Sequence, residues 1–240
     1  MRTEFDLKAE GRPAFRILIA CEESQTVVEQ FLKLGFDAMS CDLLPGAKGL
    51  PHYQGDLFDI LDNDWDMIIA FPPCTHLSGA GAPSWKIKQA DGRQKEAFDF
   101  VMKIYNNKCK RVAIENPTGY LNTNWRKPDQ IINPFQFGDP FKKRTCLWLK
   151  NLPALLPTEI VEPKWHYTSN STRGGLLKDG TRRKSKLPIR KAWDNSNERS
   201  KSFTGIATAM ANQWSEFLYS SRAGAFKSNS IHQPELWNTD

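Results

Sequence analysis

Residues 68–78 read IIAFPPCTHLS, an apolar run that stops at two prolines and then sets down a cysteine. Proline fixes φ and carries no backbone donor, so the chain must leave its strand at Pro72 in a stiff turn. Cys74 projects from that turn. A thiol so placed is either a small hydrophobe sealing a strand end or a positioned nucleophile.

Working outward, residues 67–71 are the strand that ends at this motif, and residues 56–61 lead into it. Upstream, residues 16–20 (RILIA) form a first strand, followed by the polar turn Cys21-Glu-Glu-Ser-Gln25. Val27, Val28, Phe31, Leu32 and Leu34 recur at helical spacing over residues 26–35, and Gly35 closes that helix. Residues 36–41 read as the next strand, with Asp42 at its end, and residues 43–55 as a Pro/Gly-rich loop. Downstream of Cys74, residues 76–92 are a Gly/Ala/Ser-rich loop. Residues 94–106 then place Ala97, Phe98, Val101, Met102 and Tyr105 on one helical face. Residues 111–115 form a further strand closed by Asn116-Pro117, and TCLWL at 145–149 a fifth. Strands alternating with helices in this way predict an α/β fold with a doubly wound, mostly parallel sheet and a ligand at the carboxyl ends of its strands.

The chain of 240 residues, 40% hydrophobic, is long enough for one main domain with a small appendage. Residues 1–14 read as a flexible arm, 15–150 as the main domain, and 151–198, rich in proline and basic residues, as a small loop-rich segment. Ile206, Met210, Trp214, Phe217 and Leu218 mark a helix within 199–219 that returns to the main domain, and 220–240 a tail. No apolar run approaches the roughly 20 residues that span a bilayer, and the N-terminus shows no signal-peptide segment, so a soluble intracellular protein is expected. Five cysteines without a CxxC pair point to reduced thiols, and Cys74-x-His76 offers too few ligands for a metal site. Formal charge is +6, yet residues 173–191 hold eight basic residues against one acid, among them Arg173, Arg182, Arg183 and Lys184. The positive charge is thus largely a property of one segment, which fits contact with a polyanion such as nucleic-acid phosphate; the plain alternative is a solvated loop.

Each candidate for chemistry lies at or near a strand's carboxyl end. The turn at 21–25 opens a helix, the place of a nucleotide-cradling loop, but holds no glycine, and its two acids would repel phosphate. A ligand with a positive amino group suits Glu22 or Glu23 better. Asp42 stands where an acid commonly grips ribose hydroxyls, and Asp56 where one could meet an adenine amino group; either could equally be an ordinary cap or turn residue. Cys74 and Glu115 end two strands that can be neighbours. A thiolate adding to an electron-poor ring carbon, with a protonated carboxyl supporting the ring nitrogen, is a chemistry for pyrimidines.

These residues also resemble those of a known family. PPC followed by Ser78 resembles the catalytic cysteine motif of DNA cytosine-5 methyltransferases, and IENP at 114–117 their Glu-Asn-Val motif. FGDPFKKRTCLWL at 137–149 resembles their Gln-x-Arg-x-Arg block, and RSKSFTGIATAMANQW at 199–214 their closing motif, in the same order. IACEESQTVVEQF, CDLLPG and CLWLKNLPALLPT are similar to short phage and prophage proteins described as cytosine methyltransferase-like. The resemblance implies a Rossmann-like S-adenosylmethionine-dependent methyltransferase fold. It implies cofactor contacts from Ala20, Cys21, Glu22, Glu23, Ser24, Asp42, Asp56 and Pro72, and catalysis by Cys74 and Glu115. Substrate contacts would come from Ser78, Asn116, Lys143 and Arg144, with residues 151–198 as a short recognition segment. It also implies a monomer in the bacterial cytoplasm, with DNA as partner and no metal. A methyltransferase for free pyrimidine nucleotides, and a catalytically silent binding module on the same scaffold, are the alternatives.

Overall fold

The computed structural model describes residues 15–166 and 202–222. The expected N-terminal arm, the basic run at 173–191 and the tail beyond 222 lie outside these residues. Seven strands form the central sheet: β1 (Arg16–Ala20), β2 (Asp37–Asp42), β3 (His52–Gln54), β4 (Met67–Ala70), β5 (Val112–Pro117), β6 (Gln130–Ile132) and β8 (Thr145–Lys150). Across the sheet they run β3-β2-β1-β4-β5-β8-β6. β7 (Phe141–Lys142) and β9 (Trp165–His166) form a separate parallel pair.

From β3 across to β5 all neighbours are parallel, and β8 is antiparallel to both β5 and β6. The fold is therefore a doubly wound, mostly parallel α/β sheet of Rossmann-like kind. The chain winds outward one way from β1 and the other way from β4, so the switch point lies between the carboxyl ends of these two strands.

The strands read as unbroken apolar runs because both faces of the sheet are covered. Ile17, Ile19, Met67 and Ile69 face one layer, with Val27, Val28 and Phe31 of α1 (Thr26–Lys33) and Ile206, Met210, Trp214 and Leu218 of α5 (Thr204–Arg222). Leu18, Ala20, Ile68 and Ala70 face the other, with Val101 and Ile104 of α3 (Arg93–Tyr105) and Leu121 of α4 (Tyr120–Asn124). Each such side chain buried contributes about 1.5–3 kcal/mol. The returning helix is thus a structural half of one layer. It is also tied from outside, by Trp214 Nε1 donating to the Pro153 carbonyl at 3.0 Å and Gln213 Nε2 to that of Leu156 at 2.8 Å.

The structure corrects the sequence reading in three places. β3 lies inside the expected loop 43–55, and the short helix α2 (Trp85–Ala90) inside the loop 76–92. β8, the fifth expected strand, runs opposite to its neighbour β5. Between these two strands the chain makes α4 and β6, and β8 then returns between β5 and β6, antiparallel to both.

Candidate active site

The candidate residues gather where β4 and β5 end side by side. Their register pairs Ile68 with Val112 and Ala70 with Ile114, which carries Phe71 to the level of Glu115 and Pro72 to that of Asn116. Asn116 is 1% exposed, and its Nδ2 donates to the Pro72 carbonyl at 2.9 Å. Pro72 has no partner to offer through its own nitrogen, so this bond pins the start of the cysteine turn. Cys74 lies two residues further on and is exposed. Its carbonyl accepts from the amides of Leu77 (3.0 Å) and Ser78 (2.8 Å), which closes the turn.

Beyond the turn the two segments remain zipped. The Gly79 amide donates to the Thr118 carbonyl at 2.9 Å, and the Tyr120 amide to the Leu77 carbonyl at 2.7 Å. Glycine is required at 119 by the close approach, since a Cβ there would stand 2.1 Å from the Leu77 carbonyl oxygen. Ser78 Oγ accepts from the Ala80 amide at 3.2 Å and opens the 3-10 turn Gly79–Ser84. Gln94, fully buried, donates to the His76 carbonyl at 3.0 Å and holds the loop from the α3 side; the sequence carries no signal for this role beyond a polar residue on an apolar helix face.

Glu115 is only partly exposed. Burial pushes its carboxyl up from the ordinary range, while the Lys143 ammonium and the Thr145 hydroxyl draw it back. A carboxyl in this setting keeps its proton to higher pH than an exposed one, as an acid that supports a ring nitrogen must. Lys143 is half-buried, with its ammonium 5.8 Å from the Phe203 ring centre, and Arg144 is exposed. Thr145, on β8, is a site residue that sequence reading missed. Arg173, Arg182, Arg183 and Lys184 lie outside the described residues.

The second half of the site lies at the ends of β1, β2 and β3. The turn after β1 has no glycine, yet Cys21 (φ 59°) and Gln25 (φ 55°) both adopt left-handed backbone. Gln25 is fully buried: its Nε2 donates to Ser40 Oγ (3.1 Å) and the Leu50 carbonyl (3.0 Å), and its Oε1 accepts from the Lys48 amide (2.7 Å). One glutamine thus staples the loop after β2 to the start of α1. Glu22, 3% exposed, accepts from the amides of Val27 (2.5 Å) and Val28 (3.1 Å) and caps α1; burial raises its carboxyl to about 7 against those bonds. Its carboxylate is engaged by the helix, so Glu23 and Ser24, both half-buried, are the more open groups of the turn.

Asp42 is half-buried and accepts from the Leu44 amide at 3.0 Å, while Asp56 is exposed and accepts from the Phe58 amide at 2.9 Å. Burial, then Asp42, then Asp56 push the Cys41 thiol up to about 12, which puts both acids beside one buried residue and hence on one rim. Cys21 is likewise pushed up, by burial and by Asp42. Ala20 and Pro72 are buried in the floor. A rim with Glu23, Asp42 and Asp56 suits a ligand that carries positive charge and hydroxyls, and disfavours phosphate. Among the described residues no three His, Cys, Asp or Glu side chains converge to hold a metal ion, and no helix is long and apolar enough to cross a membrane.

No family model and no curated protein matches the chain. Among solved structures, the Entamoeba histolytica methyltransferase EhMeth is similar over 62% of this chain and 58% of its own, at 14% identity and a TM-score of 0.45. The chain spans less than two thirds of that protein's length. The fold class rests on the sheet itself, a Rossmann-like, mostly parallel layout in which one strand, β8, is reversed.

Proposed function

We propose that this protein is an S-adenosylmethionine-dependent methyltransferase acting on carbon 5 of cytosine in DNA, through a covalent adduct with Cys74. The observation that carries this reading is the Asn116-to-Pro72 bond, which ties the cysteine turn to the strand end bearing Glu115. This reading takes Cys74 as the nucleophile and Glu115 as the acid, carried on segments that this bond holds side by side.

The turn Ala20–Ser24, with Asp42, Asp56 and Pro72, would hold the cofactor; its acidic rim fits a sulfonium and an α-amino group. When bound, S-adenosylmethionine supplies an electrophilic methyl group for carbon 5. The protein's own residues make that carbon reactive. Cys74, as thiolate, adds to carbon 6, and Glu115 hydrogen-bonds nitrogen 3 and supports the charge that arrives on the ring. Loss of the carbon 5 proton then expels Cys74 and restores the aromatic ring. In duplex DNA the base must be flipped to reach this pocket. Ser78 and Asn116 would shape its wall, with Lys143, Arg144 and the basic run including Arg173, Arg182, Arg183 and Lys184 meeting phosphates.

The test is transfer of labelled methyl to duplex DNA, single-stranded DNA and free dCMP in parallel, with products digested and identified. Label in 5-methylcytosine from a polymer is expected, and Cys74→Ala should abolish it while leaving DNA affinity nearly intact. Label confined to the nucleotide would move the substrate to the pyrimidine pool. No label and no cofactor binding would overturn the enzyme reading in favour of a binding module.

A further inference from the structure

The root of α5 meets the segment 137–141, which leads through β7 toward β8. Phe203 stacks on Phe141 with ring centres 5.3 Å apart and planes tilted by 36°. Two residues on, the Gly205 amide donates to Asp139 at 3.0 Å, and a Cβ at 205 would fall 1.8 Å from the Phe137 carbonyl oxygen. This docking leaves little freedom in where Phe203 sits. Its ring lies 5.8 Å from the Lys143 ammonium, inside the range in which an aromatic face attracts a cation.

Lys143 in turn lies two residues before the start of β8, where Thr145 reaches Glu115. Beside Glu115, the β4 chain ends at the level of Phe71. β8 contributes the neutral Thr145 hydroxyl. The β7–β8 turn contributes Lys143, which acts on the carboxyl by charge, and the exposed Arg144.

We infer that Phe203 seats Lys143 beside the strand end that bears Glu115, and so couples docking of the returning helix to the surroundings of that acid. Phe203 is here a positioning residue, acting through Lys143. The pocket acid would be set for its task only when α5 is in place, since the same helix root holds the cation that faces the acid. The catalytic consequence rests on the cytosine reading above; the effect on Glu115 does not.

The experiment follows the Glu115 carboxyl by carbon NMR of protein labelled at glutamate, assigned with Glu115→Gln, across a pH titration. Lys143→Gln removes a cation that favours the ionised carboxyl, so Glu115 should titrate at higher pH. Phe203→Leu keeps bulk but removes the aromatic face and should move the titration the same way, while Phe203→Tyr should restore the wild-type position. If methyl transfer requires protonated Glu115, its alkaline limb should move upward in the same two variants. Wild-type titration in Phe203→Leu, with Lys143→Gln shifted, would overturn the role of Phe203; an unshifted Lys143→Gln would overturn the pair. Should wild-type protein methylate no cytosine at all, the proposed function fails while the carboxyl titration still decides this inference.

Discussion

Replacing Asn116 with alanine tests the bond on which the site depends. The substitution deletes a buried hydrogen bond of 2.9 Å and strands the Pro72 carbonyl, at a cost of about 2–3 kcal/mol. Against this, Asn116 Oδ1 is buried with no hydrogen-bond partner among the described residues, and removing it returns about 1 kcal/mol. The net loss should be about 1–2 kcal/mol, which for a domain of this size lowers the melting temperature by about 2–8 °C. Asn116→Asp sharpens the result. It keeps the shape but turns a second oxygen toward the carbonyl, so it should cost more than alanine, on the order of 3 kcal/mol. Methyl transfer should fall further than stability does, by on the order of 100-fold, because a nucleophile displaced by about 1 Å loses its line of attack. Thermal unfolding and initial rates on both variants supply the check. An alanine variant that melts within about 1 °C of wild type, with aspartate no worse, would show that the cysteine turn is held by something else.

Three further outcomes follow from particular residues. Gly119→Ala would force a methyl group to 2.1 Å from the Leu77 carbonyl oxygen and part the two segments behind the site; a loss of about 3 kcal/mol or more is expected, with the Tyr120 amide losing protection in hydrogen exchange. Glu22 has its carboxyl raised from 4.5 to about 7, so the unfolded chain ionises first. The stability it contributes is full below about pH 4.5 and declines by up to about 3 kcal/mol as pH rises to about 7. Denaturant midpoints at pH 5 and 7.5 should show that decline in wild type and not in Glu22→Gln, and a rise instead would reverse the assignment. At Cys21, with φ 59°, glycine should be tolerated within about 0.5 kcal/mol while valine costs on the order of 2 kcal/mol, measured by chemical unfolding.

The long strands and helices were legible because their side chains are buried on one or both sides. RILIA and TCLWL are polar only at their first position, and α1, α3 and α5 repeat apolar residues every three or four positions. β3 (HYQ) was not legible, since two half-exposed residues and one exposed residue carry no hydrophobic period. Nor was the direction of β8, because a strand buried on both faces looks the same read either way. The cofactor-side turn shows a different limit. Glycine is the usual mark of left-handed backbone, and the turn CEESQ has none, yet Cys21 and Gln25 take that conformation. What compensates is not local: Gln25 is held by Ser40, Lys48 and Leu50, up to 25 residues away. The same holds at the other half of the site. Cys74 and Glu115 are singled out by motif and strand end, but the side chain that ties their two segments together, Asn116, reaches a carbonyl 44 residues earlier. Local pattern therefore marks candidate groups, while the alignment of the turns that bear them is produced by buried amides whose partners only the folded sheet supplies. Strain at Cys21 and a desolvated oxygen at Asn116 are the costs of that alignment, and they fall on the two turns that a methyl donor and a cytosine would share.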